Sequence, residues 1–394
     1  MRLFRRRRPV PTPPAPRTDT TAPHPSGPVE DPAVVAARQR LDHWRQAARQ
    51  DASVLPDLAR ALNDLSLHLS NTGDEHGALR PAREAVEVFR RVAGESAELR
   101  SSLAVALHNL GIRLSRTGHA RDALEPAREA VALMRDLAEH DPAHLPRLAY
   151  VLTGLGTRLT EAGDTRSGAE TLGEAVAIRR RLAQEDPASH LPDLALALNR
   201  HGVHLGRAGD DRAAVAAIAE AVDIWRGLAA AAPPRHLRDL VMGLTNLGAH
   251  LPRTGDTAAA VEAVREAVGI CRGAGLRTDL AVALNTLGTL LADTGDREEA
   301  RRAAAESVTI LREPAAYDPG THLPLLALSL RNLAKRLSES GRTTEAVQAA
   351  DEAVRIYRDL RAQGAGDDGL AEAEQIAERL RTRPGDAGSV GEAP

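Results

Sequence analysis

Few residues in this chain are spaced to do chemistry. His201 and His204 lie three apart, so on a helix their imidazoles share a face, a spacing at which two histidines can hold one metal ion. No third ligand lies near them in sequence. His201 also takes a leucine's place in the series Leu194, Leu198, His201, Leu205, which favours a histidine packed in the core or a pH-sensitive contact. Four more histidines, His144, His190, His236 and His322, recur in equivalent connectors. Packed helices sit ~8–10 Å apart, too far for such residues to share an ion bound at ~2 Å. Cys271 is the only cysteine and falls on an apolar stripe, the place of a buried, inert thiol. The only lysine, Lys335, follows alanine, so there is no phosphate loop, and neither GxSxG nor HExxH occurs. The expectation is a chain with no catalytic residue, no metal and no cofactor, and hence not an enzyme.

What remains is a scaffold. The 394 residues are 43% hydrophobic but only 2% aromatic, a balance that suits close-packed Leu/Ala/Val helices better than sheets. The net charge of −3 argues against nucleic-acid binding by bulk electrostatics, and no sequence-specific nucleic acid is expected. No run approaches the ~18 apolar residues of a membrane span, and the start "MRLFRRRRPVPTPP" has no apolar stretch after its arginines. With a single cysteine, the reading is a cytoplasmic chain without a transmembrane segment.

The chain writes one pattern seven times. A turn glycine recurs at Gly73, Gly118, Gly163, Gly209, Gly255, Gly295 and Gly341. Ahead of each stand four positions spaced 4, 3 and 4, such as Leu58, Leu62, Leu65 and Leu69, the stripe of an amphipathic helix. Aspartate follows the glycine in five copies (Asp74, Asp164, Asp210, Asp256, Asp296), so one helix ends and the next starts within two residues. The second helix carries "EAVEVFR" at 84–90 and its relatives, with a small residue at Ala85, Ala130, Ala175, Ala221, Ala267, Ser307 and Ala353. Connectors such as "DPASHLP" set a proline in the first turn of the next helix. A fixed period of this length marks a stacked array.

These residues resemble the tetratricopeptide repeat: in the second copy, Leu110–Gly111, the turn glycine Gly118, and the alanines Ala123 and Ala130. The period looks like the long form found in kinesin light chains and many bacterial regulators. The resemblance implies an all-α, right-handed superhelical solenoid of antiparallel helix hairpins. Its domain plan is a disordered, basic, Pro-rich arm (1–31), a capping half repeat (32–54) and seven repeats over 55–362. These are 55–99, 100–144, 145–190, 191–236, 237–276, 277–322 and 323–362, followed by a C-terminal capping helix (363–382) and a disordered tail (383–394).

The resemblance also implies that first helices line a concave groove. There Asn63, Asn109, Asn199, Asn246, Asn285 and Asn332 recur at two neighbouring positions, where amides could hold a peptide backbone or bond from helix to helix. Arg116, Arg207 and Arg253, each two residues before a turn glycine, complete the candidate partner-binding set. The lysine–asparagine–arginine clamp of the family's chaperone-binding branch is not supported, because Lys335 sits in the last repeat. An arginine ladder (Arg45, Arg90, Arg135, Arg180, Arg226, Arg272, Arg312, Arg358) reads as solvated heads over apolar stems, or as a strip for an acidic partner. Trp44, Phe89, Trp225 and Tyr357 share one packing position with Met134, Cys271 and Leu311, and Arg179 breaks that stripe, marking a local opening. The copy ending at Gly295 is six residues short, which places a bend or niche near 272–278. Arg2, Arg5, Arg6, Arg7, Arg8 and Arg17 could touch an anionic surface. The functional expectation is a scaffold binding a peptide or helix of another protein; the alternative is a regulator that senses a ligand or peptide through the same superhelix.

Overall fold

The computed structural model describes residues 31–94, 96–362 and 369–382; the arm at 1–30 and the tail at 383–394 lie outside the described residues. Sixteen α-helices follow one another: α1 (Pro32–Ala48), α2 (Leu55–Asn71), α3 (Glu75–Val92), α4 (Ala97–Arg116), α5 (Leu124–His140) and α6 (Leu145–Glu161). Next come α7 (Thr165–Glu185), α8 (Pro187–Ala208), α9 (Asp211–Ala231), α10 (Pro233–His250) and α11 (Thr257–Ala274). The series ends with α12 (Arg277–Asp293), α13 (Arg297–Tyr317), α14 (Pro319–Glu339), α15 (Thr343–Ala362) and α16 (Leu370–Thr382). Each helix packs on the next, and the described residues contain no strand: the fold is an all-α superhelical array.

Local chemistry sets the helix ends. All seven turn glycines are left-handed, with φ between 75° and 96°, and open space surrounds them, so glycine stands there for its backbone and not for room. The aspartate that follows accepts from the backbone N–H three residues on, as Asp74 does from Gly77 (2.7 Å) and Asp164 from Ser167 (3.1 Å). In the second copy His119 replaces that aspartate and its ring meets the Thr117 hydroxyl instead (3.2 Å). Uncapped, α5 starts only at Leu124. Connectors differ in one respect from the expected proline placement. Asp186 and Asp318 cap α8 and α14 early, so Pro187 and Pro319 open those helices while Pro192 and Pro324 lie inside them.

Within a hairpin the two helices meet through small residues. Gly156 faces the Gly168 carbonyl, and a Cβ at Gly156 would come within 2.8 Å of that oxygen. Gly202 stands likewise on the Ala214 carbonyl (2.8 Å) and Gly288 on that of Ala300 (3.0 Å). The second-helix column Ala85, Ala130, Ala175, Ala221, Ala267, Ser307 and Ala353 is fully buried. Its one polar member, Ser307, donates to the Ala281 carbonyl (2.8 Å) and pairs with Ser329 (2.9 Å), which removes the cost of burying a hydroxyl. Ala130→Leu should therefore overpack the crossing and cost about 1–3 kcal/mol. A denaturant midpoint equal to that of the parent would show that this column is not a close crossing.

The array has an inside and an outside. Successive first helices (α2 with α4, α4 with α6, α10 with α12, α12 with α14) touch each other, whereas successive second helices stay apart. First helices therefore follow the shorter, concave arc.

Candidate protein-binding groove

The outer layer accounts for the arginine ladder. Each arginine pairs with the glutamate that opens the next "EAV" motif, one repeat on. Arg45 reaches Glu84 (2.6 Å), Arg135 Glu174 (2.6 Å), Arg180 Glu220 (2.8 Å), Arg226 Glu266 (2.7 Å), Arg272 Glu306 (2.9 Å) and Arg312 Glu352 (2.8 Å), and Arg90 pairs with Glu129. Arg358 closes the series on Glu374 of α16 (2.6 Å). Long side chains thus tie together outer helices too far apart to touch. Each head is thus paired with a carboxylate while staying about half exposed. Half-exposed, each pair contributes only ~0–1 kcal/mol, so the ladder sets repeat register more than stability.

On the inner layer the asparagines pair across repeats. Asn109 donates to Asn63 (2.9 Å), Asn246 to Asn199 (3.1 Å) and Asn332 to Asn285 (3.0 Å). Each pair spends one N–H and one carbonyl; Asn199 is buried, and the other five asparagines are half-buried. The three arginines of the candidate set diverge. Arg116 bonds Glu75 (2.6 Å) and Ser70 (3.3 Å), Arg253 pairs with Asp211 (2.7 Å), and Arg207 is exposed.

The histidines at 201 and 204 do not converge. His204 bonds the Thr160 hydroxyl (2.7 Å), while His201 meets the Ala169 carbonyl. Burial, reinforced by Arg207, lowers His204 to about 4, so it is neutral at pH 7. Among the described residues no three His, Cys, Asp or Glu side chains gather as metal ligands. Cys271 is buried and its thiol is pushed up to about 11, mainly by that burial, which leaves it protonated.

A feature outside the candidate set dominates the inner surface. Two residues beyond the first leucine of each stripe stand Val105, Tyr150, Leu196, Met242, Val282 and Leu328, on six consecutive inner helices. Tyr150 is 45% exposed, Val282 37%, and Leu196 and Met242 36%; Val105 and Leu328 are half-buried. This position lies about 200° around the helix from the leucine, on the face turned away from the hairpin core. The signal was present in the sequence: a helix burying one face has no use for a second apolar position opposite the first. Only α2 departs from the row, with the exposed Arg60 at the same offset.

The groove wall opens at one place. The backbones of inner helices α6 and α8 stay farther apart than those of the other successive pairs, His204 and Thr160 bridging one end, and a cavity of about 500 Å³ lies there. Arg179 borders it, as the broken aromatic stripe implied, reaching from α7 to Asp193 on α8 (2.6 Å). His108 and Tyr150 stack at one end (ring centroids 4.4 Å apart), with His108 filling space left by Gly154. Burial, then the charges of Arg158, Arg113 and Arg200, lowers His108 to about 4, so the ring adds no charge to the site at pH 7. A smaller cleft of about 310 Å³ lies beside Arg272, near the two-residue connector between α11 and α12.

Among the described residues no helix is long and apolar enough to cross a membrane. Residues 58–96, 103–144 and 326–360 match one form of the tetratricopeptide repeat, and residues 239–313 match a second form. No curated protein matches the chain in sequence. Among solved structures, BtubC (BKLC) from P. vanneervenii is similar in fold, with TM-score 0.51 and 20% identity over 61% of this chain and 92% of that one. The apo form of RapI gives TM-score 0.54 at 11% identity, covering 77% of this chain and 99% of RapI. The repeated hairpins, their left-handed turn glycines and the small-residue crossings agree with the two family matches: residues 58–96, 103–144, 239–313 and 326–360 are tetratricopeptide repeats.

Proposed function

We propose that the chain is a protein-interaction scaffold whose concave surface binds a segment of a partner protein along the apolar row. The observation that carries this reading is the row itself. Val105, Tyr150, Leu196, Met242, Val282 and Leu328 form a line of apolar side chains, exposed or half-buried, at one offset on six neighbouring inner helices. Leaving such a line in water forfeits the free energy its burial would release, and aligned apolar surface of this kind marks binding sites. The half-buried Asn63, Asn109, Asn246, Asn285 and Asn332 beside the row supply donors and acceptors for the backbone of an extended segment. The rest of the array acts by pre-organisation: a groove assembled beforehand spares much of the ordering cost of association.

A peptide library displayed on phage and selected against the full chain tests the reading. Peptides retained by the parent should be lost, by about tenfold or more in affinity, on a chain carrying Met242→Asp with Val282→Asp. The substituted side chains are already exposed, so the melting temperature should hold. Peptides that bind both chains equally would move the site off this surface.

A further inference from the structure

The gap between α6 and α8 is unlike any other step of the array. The apolar core is divided there, as it is again near Val308: one buried cluster runs from Val34 to Leu159 and Ala175, and the next begins at Val176. Polar groups fill the break. Arg179 occupies the position held elsewhere by Phe89, Met134, Trp225 or Leu311. At the offset where Asn109, Asn246 and Asn332 bond across repeats, α8 carries Arg200 and α6 carries Gly154. The residue that would answer Arg200 on α6 is Thr153, whose shorter side chain donates to the Ala149 carbonyl (2.8 Å), and no hydrogen bond joins it to Arg200.

Four guanidiniums border the cavity, those of Arg116, Arg158, Arg179 and Arg200. Three have carboxylate partners at 2.6 Å: Arg116 with Glu75, Arg158 with Glu161 and Arg179 with Asp193. Arg200 is exposed and has no carboxylate partner among the described residues. Glu75 is shared, since Arg113 also reaches it (3.0 Å), so guanidiniums outnumber carboxylates around the cavity, with Tyr150 and Leu196 of the apolar row on either side.

From this geometry we infer that the α6–α8 gap receives one Asp or Glu side chain of the bound segment, its carboxylate held by the fork of Arg200. The inference rests on the groove reading above and adds the chemistry of the partner: an acidic residue flanked by apolar side chains that settle on Tyr150 and Leu196. A guanidinium presents paired N–H groups that match a carboxylate, and such charge-assisted bonds are about twice as strong as neutral ones.

The selection described above, repeated on Arg200→Gln, tests this. The parent chain should enrich an acidic residue at one fixed position between apolar residues, and Arg200→Gln should lose that preference while still retaining peptides. A synthetic peptide from the parent selection should bind about tenfold less well when its Glu becomes Gln, and Arg200→Gln should bind the two forms alike. The same peptide carrying phosphoserine should bind no better than the Glu form. Enriched peptides without an acidic position, an acidic preference that survives Arg200→Gln, or a much tighter phosphoserine form would each overturn the assignment while leaving the groove in place. Failure to retain any peptide sensitive to Met242→Asp with Val282→Asp would remove the groove reading and this inference with it.

Discussion

Replacing Trp225 with alanine is expected to cost about 3–5 kcal/mol, the largest loss from any single truncation in this array. Trp225 is 1% exposed and heads the fully buried side chains by volume. It stands on α9 at the centre of the middle apolar cluster, and Gly243 on α10 leaves room for it: a Cβ there would lie 2.7 Å from the ring. Removing an indole from so tight a niche leaves a cavity that neighbouring helices cannot collapse to fill, because their spacing is held by the repeats on both sides. In a linear array the damage should also be local. Amide exchange in α9 and α10 should accelerate well before that in α2 to α5. A loss below about 1 kcal/mol, or uniform acceleration along the chain, would mean that the ring is not a packing keystone of one repeat interface.

Acidification should give the other large effect. His108 and His204 are 6% and 7% exposed and both are lowered to about 4, chiefly by burial. Around His108 stand Arg113 on its own helix, Arg158 on α6 and Arg200 on α8; around His204 stand Arg200, His201 and Arg207 on its own helix and Glu161 on α6. In the unfolded chain both rings titrate near the ordinary histidine value, 6.5. Between about 6.5 and 4 the unfolded state binds protons that the folded state refuses, so stability is complete above 6.5 and falls as pH drops toward 4. Each histidine contributes on the order of 2–3 kcal/mol to that fall. Denaturant midpoints at pH 7 and pH 4.5 should differ strongly for the parent chain and much less for a chain carrying His108→Gln with His204→Gln. An equal fall in both chains would place the acid sensitivity elsewhere.

Both effects come from residues whose position in the repeat is visible in the sequence, but only one was legible in kind. Trp225 shares its offset with Phe89, Met134 and Leu311, and an apolar stripe at helical spacing has to be buried, here against Gly243 on the first helix of the next hairpin. The histidines offered no such guide. Whether an imidazole in a leucine's place is neutral, charged or metal-bound depends on which helix covers it, and Gly154, which makes room for His108, belongs to the next repeat.

The periodicity alone determined the elements. Left-handed glycine, capping aspartate, leucine stripe and alanine column act over one to seven residues, a range within which backbone sterics and helix geometry leave few alternatives. That was enough to give all-α hairpins stacked in order. What the sequence left open lies one repeat apart. The Arg–Glu ladder joins residues 39 or 40 apart, as in Arg90–Glu129 and Arg226–Glu266, and 34 apart across the short copy, from Arg272 to Glu306. The asparagine pairs join residues 46 or 47 apart. Such pairings depend on the rise and twist between hairpins. Those quantities are set jointly by every small residue at every crossing, and no short window of sequence contains them. The same holds for the gap between α6 and α8: Arg179 announced an opening, but that Arg200 would face it without a partner emerged only once three repeats were stacked.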